Sequence, residues 1–274
     1  MDNSCNSDCA NCSSQGCSSK GSLMKKGHPA SSIKKIIGVV SGKGGVGKSL
    51  VTSLLAVSMQ RKGFNVGILD ADVTGPSIPK MFGISKKATV TELGIIPELT
   101  KTGIEVISLN LLLPNETDPV VWRGPVISSM VGQLYTDVIW HNIDYLFIDM
   151  PPGTGDVSLT VFQSIPVDDI IIVSSPSQLV SMIVEKAVNM AKLMEIPILG
   201  IVENMSYFVC PDCKKEHHLF GTQNYDDIKK NNGLSLLGTI PIDPLLSSAS
   251  DTGMIELFEG SWLDNLSSKL EEMI

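Results

Sequence analysis

The chain has 274 residues, 43% of them apolar, and a formal net charge of −8. That suits about one α/β domain with a short tail, or two small domains, with enough apolar material for a sizeable core. The acidic balance argues against non-specific nucleic-acid binding, no stretch nears the roughly 18 apolar residues of a membrane span, and the N-terminus, lacking an apolar core, is not expected to be a secretory leader. A cytoplasmic protein with no nucleic-acid or membrane partner is expected, with its six cysteines reduced and suited to metal rather than disulfides.

Residues 1–32 are rich in Ser, Asn, Gly and Lys and hold Cys5, Cys9, Cys12 and Cys17. Little else there could form a core, so the segment reads as a tail that only a metal centre would order. Residues 33–274 read as the folded domain. Ile36 to Val40 is a short apolar β-branched run, predicting a buried strand that ends at a Gly-rich loop. Apolar residues at helical spacing follow from Ser49 to Arg61, stopped by Lys62-Gly63. Further strands are predicted over 65–69, 145–148, 169–173, 197–202 and 234–240, with a helix over 179–194. This alternation predicts an α/β fold, a three-layer arrangement with a mostly parallel sheet flanked by helices on both faces. Residues 88–110 read as a hairpin with turns at Gly94 and Thr102-Gly103, and residues 205–222 interrupt a strand–helix connection.

The loop Gly42-Lys43-Gly44-Gly45-Val46-Gly47-Lys48-Ser49 fits G-x-x-x-x-G-K-S between a strand and a helix. Its glycines let backbone N–H groups surround phosphate oxygens, and the helix N-terminus adds positive potential. Lys48 is expected to reach the β- and γ-phosphates of ATP, and the Ser49 hydroxyl to ligate Mg²⁺. Asp149 ends an apolar strand and suits a carboxylate holding Mg²⁺ through water. Asp72, in Asp70-Ala71-Asp72, can position or deprotonate the attacking water, while Asp70 can bond loop backbone. Pro151 to Asp156 reads as a switch segment beside the γ-phosphate.

Lys43, just after the first glycine, makes the loop resemble the deviant Walker A NTPases: MinD, ParA, the nitrogenase iron protein and their relatives. In that class the early lysine reaches the partner's nucleotide, so the resemblance implies a nucleotide-dependent homodimer. Longer strings resemble the Mrp family of iron–sulfur carrier and scaffold ATPases over about residues 34–260. These are Asp70 to Ser77, Trp122-Arg123-Gly124-Pro125, Asp149 to Asp156, and Val202 to Ser206 followed by Cys210-Pro211-Asp212-Cys213. The resemblance implies an ATPase that binds a [4Fe–4S] cluster and passes it to apo-proteins. It also places Asn204 and Pro241 to Asp243 at the adenine.

Cys210 and Cys213 supply two thiolates, half the ligand set of a [4Fe–4S] cluster. A symmetric dimer completes the set with two from each chain. Zinc is the alternative, with His217 and His218 as further ligands, and the family resemblance favours the cluster. Cys5, Cys9, Cys12 and Cys17 are enough for one cluster, for a zinc site, or for a metal-free tail. Their C-x3-C-x2-C-x4-C spacing departs from the four-cysteine motif of the scaffold branch. Two rival functions remain open. A MinD- or ParA-like positioning ATPase calls for a basic amphipathic C-terminus or a basic DNA-binding surface, but the helical pattern over 261–274 is net acidic. A reductase like the nitrogenase iron protein calls for bridging cysteines far apart in sequence.

Overall fold

The computed structural model describes residues 24–72, 75, 77–113, 124–153, 155–176, 180–222 and 225–274. Cys5, Cys9, Cys12, Cys17, Trp122 and Arg123 lie outside them. In chain order the elements begin with β1 (Ile33–Ser41), α1 (Lys48–Arg61), β2 (Val66–Asp70) and α2 (Ile78–Met81). The short strands β3 (Thr89–Val90), β4 (Ile95–Ile96) and β5 (Glu98–Leu99) precede β6 (Glu105–Ser108) and α3 (Gly124–Thr136). Then come β7 (Ile143–Asp149), α4 (Asp156–Ser164), β8 (Asp169–Ser174), α5 (Val180–Leu193) and β9 (Ile198–Asn204). The chain closes with β10 (Phe208–Val209), β11 (Glu216–His217), α6 (Tyr225–Asn232), β12 (Leu236–Ile240), α7 (Pro244–Asp251) and α8 (Asp264–Glu271).

Among the described residues, eight strands form one sheet in the order β12-β9-β8-β1-β7-β2-β6-β5. Every pairing is parallel except β5 with β6. A parallel sheet is covered on both faces, and so its strands are apolar throughout. Successive residues serve opposite cores here. Ile36, Leu69, Leu146, Ile170 and Ile172 face one core, which α3, α4 and α5 cover with Val131, Leu134, Phe162, Val184 and Val188. Ile37, Ile68, Tyr145, Phe147 and Ile171 face the other, covered from α1, α7 and α8 by Val51, Leu55, Met59, Leu246, Leu266 and Leu270. The C-terminal helical pattern is therefore a packing face, as its acidic charge suggested. No helix among the described residues is long and apolar enough to cross a membrane.

One expectation is corrected. The stretch 88–110 is more than one hairpin. Gly94 does turn β3 into β4, but Thr102-Gly103 joins β5 to β6, and β6 enters the main sheet parallel to β2. With no long apolar run, β6 gave only a weak strand signal, but its four residues are all buried. Residues 24–32 lie along the body: Lys25 N–H donates to Ser164 O, Ser31 Oγ donates to Val138 O, and Trp140 N–H donates to Ser31 Oγ.

Candidate functional site

Parallel strands put their C-terminal ends on one edge of the sheet, where α/β proteins collect their ligand groups. Register aligns Asp70 with Asp149 and with Ser108, and Val39 with Asp149. The loop after β1 therefore arrives beside two strand-end carboxylates. Gly45 and Gly47 have φ of 77° and 78°, a left-handed backbone that favours glycine. At Gly47 a Cβ would also fall 2.1 Å from Asn204 Nδ2. Glycine is required there for both reasons, and the loop backbone stays open at Gly44 and Gly45, which are exposed along with Lys43.

Lys48 opens α1 and is only 5% exposed. Its Nζ lies 2.8 Å from Asp149 Oδ1 and 3.7 Å from Asp72 Oδ2, with no hydrogen bond of good alignment. Ser49 Oγ donates to Asp149 Oδ2 at 2.5 Å. Thr52 Oγ1, one turn further along α1, is 2.9 Å from Asp149 Oδ1 and 3.0 Å from Lys48 O. Asp149 is fully buried and thus held by an ammonium and two hydroxyls. The segment after Asp149 flanks the loop: Gly153 N–H donates to Ser41 O at 2.9 Å, and a Cβ at Gly44 would meet Pro152 at 3.8 Å.

Asp70 behaves as its structural reading suggests, since its Oδ1 accepts Asp72 N–H at 3.2 Å. Its Oδ2 is buried and unpartnered. Burial first, and then the charge of Asp149, push the Asp70 carboxyl well above the usual carboxylate range, while Lys48 opposes the rise. A raised folded-state pKa subtracts stability once the unfolded chain has ionised. The loss is absent below about pH 4 and grows by up to about 1.4 kcal/mol per pH unit above it, until the folded group itself ionises. Asp70→Asn is therefore expected to leave the melting temperature nearly unchanged at pH 4 and to raise it by a few degrees at pH 7. Thermal denaturation at the two pH values checks this, and a variant no more stable than the parent at pH 7 contradicts it.

Asn204, expected at the adenine, ends β9 at 1% exposure and donates from Nδ2 to Val46 O at 2.9 Å. Pro241 to Asp243 follow β12. Asp243 Oδ1 accepts Leu245 N–H at 2.8 Å and caps α7, while Ile242 N–H donates to Tyr207 O at 2.7 Å. Both features sit at the same sheet edge as the loop.

The interruption after β9 is a small hairpin, β10 with β11, and Cys210 and Cys213 lie in its turn. Cys210 N–H donates to Lys215 O and Lys214 N–H donates to Cys210 O, both at 2.9 Å, with Lys214 left-handed at φ 59°. The backbone N–H groups of Cys213 and Asp212, with the Cys213 thiol, hold the Cys210 thiol below its ordinary value. A stabilised thiolate at a surface turn, as at Cys210, is the form that ligates metal. No group of three or more His, Cys, Asp or Glu side chains among the described residues converges as a metal site. His217 is exposed on β11, and His218 Nδ1 donates to Ser206 O at 3.1 Å. The two thiolates are thus without a third such ligand from the described part of their own chain. Val209 in the hairpin, and Leu219 and Phe220 just after it, are exposed apolar side chains.

The sequence reading missed several residues. Thr52 was legible as the i+4 neighbour of Lys48 on α1. Glu203, Ser206 and Tyr225 were not: Ser206 Oγ and Tyr225 OH each donate to a different oxygen of buried Glu203 at 2.5 Å. Burial first, then the hydrogen bond to Glu203, raise the Tyr225 phenol far above its ordinary value.

Comparison with known proteins agrees with this geometry. A ParA family model, described as NUBPL iron-transfer P-loop NTPase, matches residues 32–273. The iron-sulfur cluster carrier protein of Clostridium perfringens is 44% identical over 256 residues, 90% of either chain. That of Methanocaldococcus jannaschii is 48% identical over 226 residues, 82% of this chain and 78% of its own. A solved nucleotide-binding protein in complex with ADP from Archaeoglobus fulgidus is 43% identical with a TM-score of 0.77, over 85% of this chain and 91% of that one. The cell division ATPase MinD of Pyrococcus furiosus shares the fold, with a TM-score of 0.61 at 20% identity over 88% of this chain and 99% of its own. The chain belongs to the NUBPL iron-transfer P-loop NTPase family.

Proposed function

We propose that this protein is an ATPase that carries a [4Fe–4S] cluster and hands it to apo-proteins. One observation carries the reading: a phosphate loop and a two-thiolate turn lie on one chain, each built for its ligand, and the turn holds only half of a cluster's ligands. The relatives named as cluster carriers support it, as do the exposed apolar side chains of Leu219 and Phe220 just after the hairpin. A second copy bringing its own Cys210 and Cys213 completes the set of four around a two-fold axis. Lys43, exposed on the loop, is assigned to the partner's nucleotide in that dimer. Residues 33–274 are the ATPase domain, and Cys5, Cys9, Cys12 and Cys17 are assigned to a second, labile metal centre.

The donor set fits Mg²⁺ and nucleotide. Ser49 Oγ and the Asp149 carboxylate are already in contact, and both are hard oxygen donors suited to Mg²⁺ directly or through water. Bound Mg²⁺ supplies charge neutralisation of the β- and γ-phosphates. Lys48, held by ion pairs but without an aligned hydrogen bond, is poised to turn its ammonium to phosphate oxygens. The backbone N–H groups of 43–49 surround the phosphates, and Asp72 positions the attacking water and takes up its proton. Asn204 and Pro241 to Asp243 line the base end. Hydrolysis is slow and linked to cluster handling, as suits a carrier rather than a metabolic ATPase.

The test is anaerobic transfer. Reconstituted protein is expected to restore activity to an apo-enzyme that needs a [4Fe–4S] cluster, in an assay with a chelator that removes free iron. Lys43→Ala is expected to lower ATP turnover and to abolish the nucleotide-dependent dimer seen by light scattering. A reconstituted protein that keeps its iron but restores no acceptor overturns the carrier reading.

A further inference from the structure

Between the phosphate loop and the thiolate turn runs a short segment whose bonds leave it little freedom. Asn204 grips the loop through Val46 O, and its amide fills the space that a Cβ at Gly47 would need. Only five residues separate it from Cys210. Met205 next turns the chain with a left-handed φ of 57°. Ser206 is then tied on three sides: its N–H donates to Ile240 O at 2.9 Å, its carbonyl accepts from His218, and its hydroxyl donates to Glu203. Glu203 is fixed in turn by Tyr225 of α6. Tyr207 O accepts the N–H of Ile242, from the loop that follows β12. One end of this segment therefore touches the phosphate loop and its middle touches the Pro241–Asp243 loop. The other end carries Cys210.

A segment bonded in this way moves as a body. Any shift of the Val46 carbonyl or of the Ile242 loop displaces the root of the hairpin, because the Glu203–Ser206–Tyr225 bonds prevent the chain from absorbing it locally. We propose that residues 203–207, locked by Tyr225, are the element that couples nucleotide state to the metal affinity of Cys210 and Cys213 within one chain. This rests on the reading that the loop takes nucleotide and the turn takes metal. It makes Glu203, Ser206 and Tyr225 positioning residues that act through the backbone and touch neither ligand. It also gives the buried Glu203 carboxylate a reason to hold two hydroxyl donors beside an otherwise exposed hairpin.

The test uses the full chain with Cys5, Cys9, Cys12 and Cys17 replaced by serine, reduced and free of metal. It is titrated anaerobically with Co²⁺ while thiolate-to-cobalt absorption is followed, without nucleotide, with ADP, and with a non-hydrolysable ATP analogue. In the parent, nucleotide is expected to change Co²⁺ affinity by about five-fold or more, and Co²⁺ to change nucleotide affinity by the same factor, since coupling is reciprocal. Tyr225→Phe and Ser206→Ala are each expected to cut that factor below about two, while each ligand alone still binds. Using both guards against one variant failing to fold. Three results overturn the proposal: no shift in the parent, a full shift in both variants, or a shift lost in Lys43→Ala but kept in Tyr225→Phe. The last would place the coupling across the dimer interface. In all three cases separate binding at the two sites leaves the proposed function standing. A parent that binds neither nucleotide nor Co²⁺ removes both.

Discussion

Lys48→Ala is expected to reduce ATP turnover at least about 100- to 1000-fold, the usual cost of deleting a preorganised group aimed at developing phosphate-type charge. The side chain is 5% exposed and cannot be replaced by a neighbouring cation, since Lys43 is exposed on the outer part of the loop. The same substitution has a second effect that the ion pairs dictate. Asp149 and Asp72 share this ammonium at 2.8 Å and 3.7 Å, with buried Asp70 close enough to feel it. Removing one partner of a buried pair typically costs about 3–5 kcal/mol, because the remaining charge is left uncompensated. The variant should therefore melt earlier than the parent at neutral pH. The loss should shrink in acid, as Asp70, whose raised carboxyl Lys48 holds down, takes up its proton. Phosphate-release kinetics and thermal denaturation at two pH values read the two effects separately. Unchanged turnover would mean that the loop is not the catalytic site.

The second large effect concerns the metal. Anaerobically reconstituted protein is expected to hold about four iron and four sulfide per dimer at Cys210 and Cys213. Cys210→Ala and Cys213→Ala should each lose essentially all of it, because either substitution halves the ligands that a two-fold dimer can offer. Iron and sulfide analysis with absorption and EPR spectra decides the matter, again with the four N-terminal cysteines replaced. Cys213→Ala is the more informative variant. It removes a ligand but keeps the backbone N–H groups of residues 212 and 213 that stabilise the Cys210 thiolate. A loss there reports missing ligation and not a collapsed turn. Zinc bound without sulfide would sink the carrier reading and revive the single-chain alternative with His217 or His218.

Sequence alone determined a good deal about this protein, because the relevant signals are local. A β-branched run, five residues from Gly42 to Val46, then Gly47-Lys48-Ser49 and a helical pattern can form little else, and β1 and α1 appear there. Long apolar runs buried on both faces set the central strands, and two cysteines three residues apart set the metal-capable turn. Other features depended on contacts between distant parts of the chain. β6 is recognisable only once β2 is beside it, since four residues carry too weak a pattern of their own. Lys25 and Ser31 are bonded to Ser164 and Val138 of the body, which composition could not report. Asn204 could be placed near nucleotide from its motif, but its bond to Val46, 158 residues away, required the sheet to bring β9 to the loop. Likewise, Tyr225 meets Glu203 from 22 positions further along the chain, beyond the hairpin. The sequence by itself thus supplied the phosphate loop and the thiolate pair as separate sites, each a local pattern. Only the tertiary structure decided that the two are joined by one bonded segment, because hydrogen bonds between strand ends depend on sheet order, which no local pattern specifies.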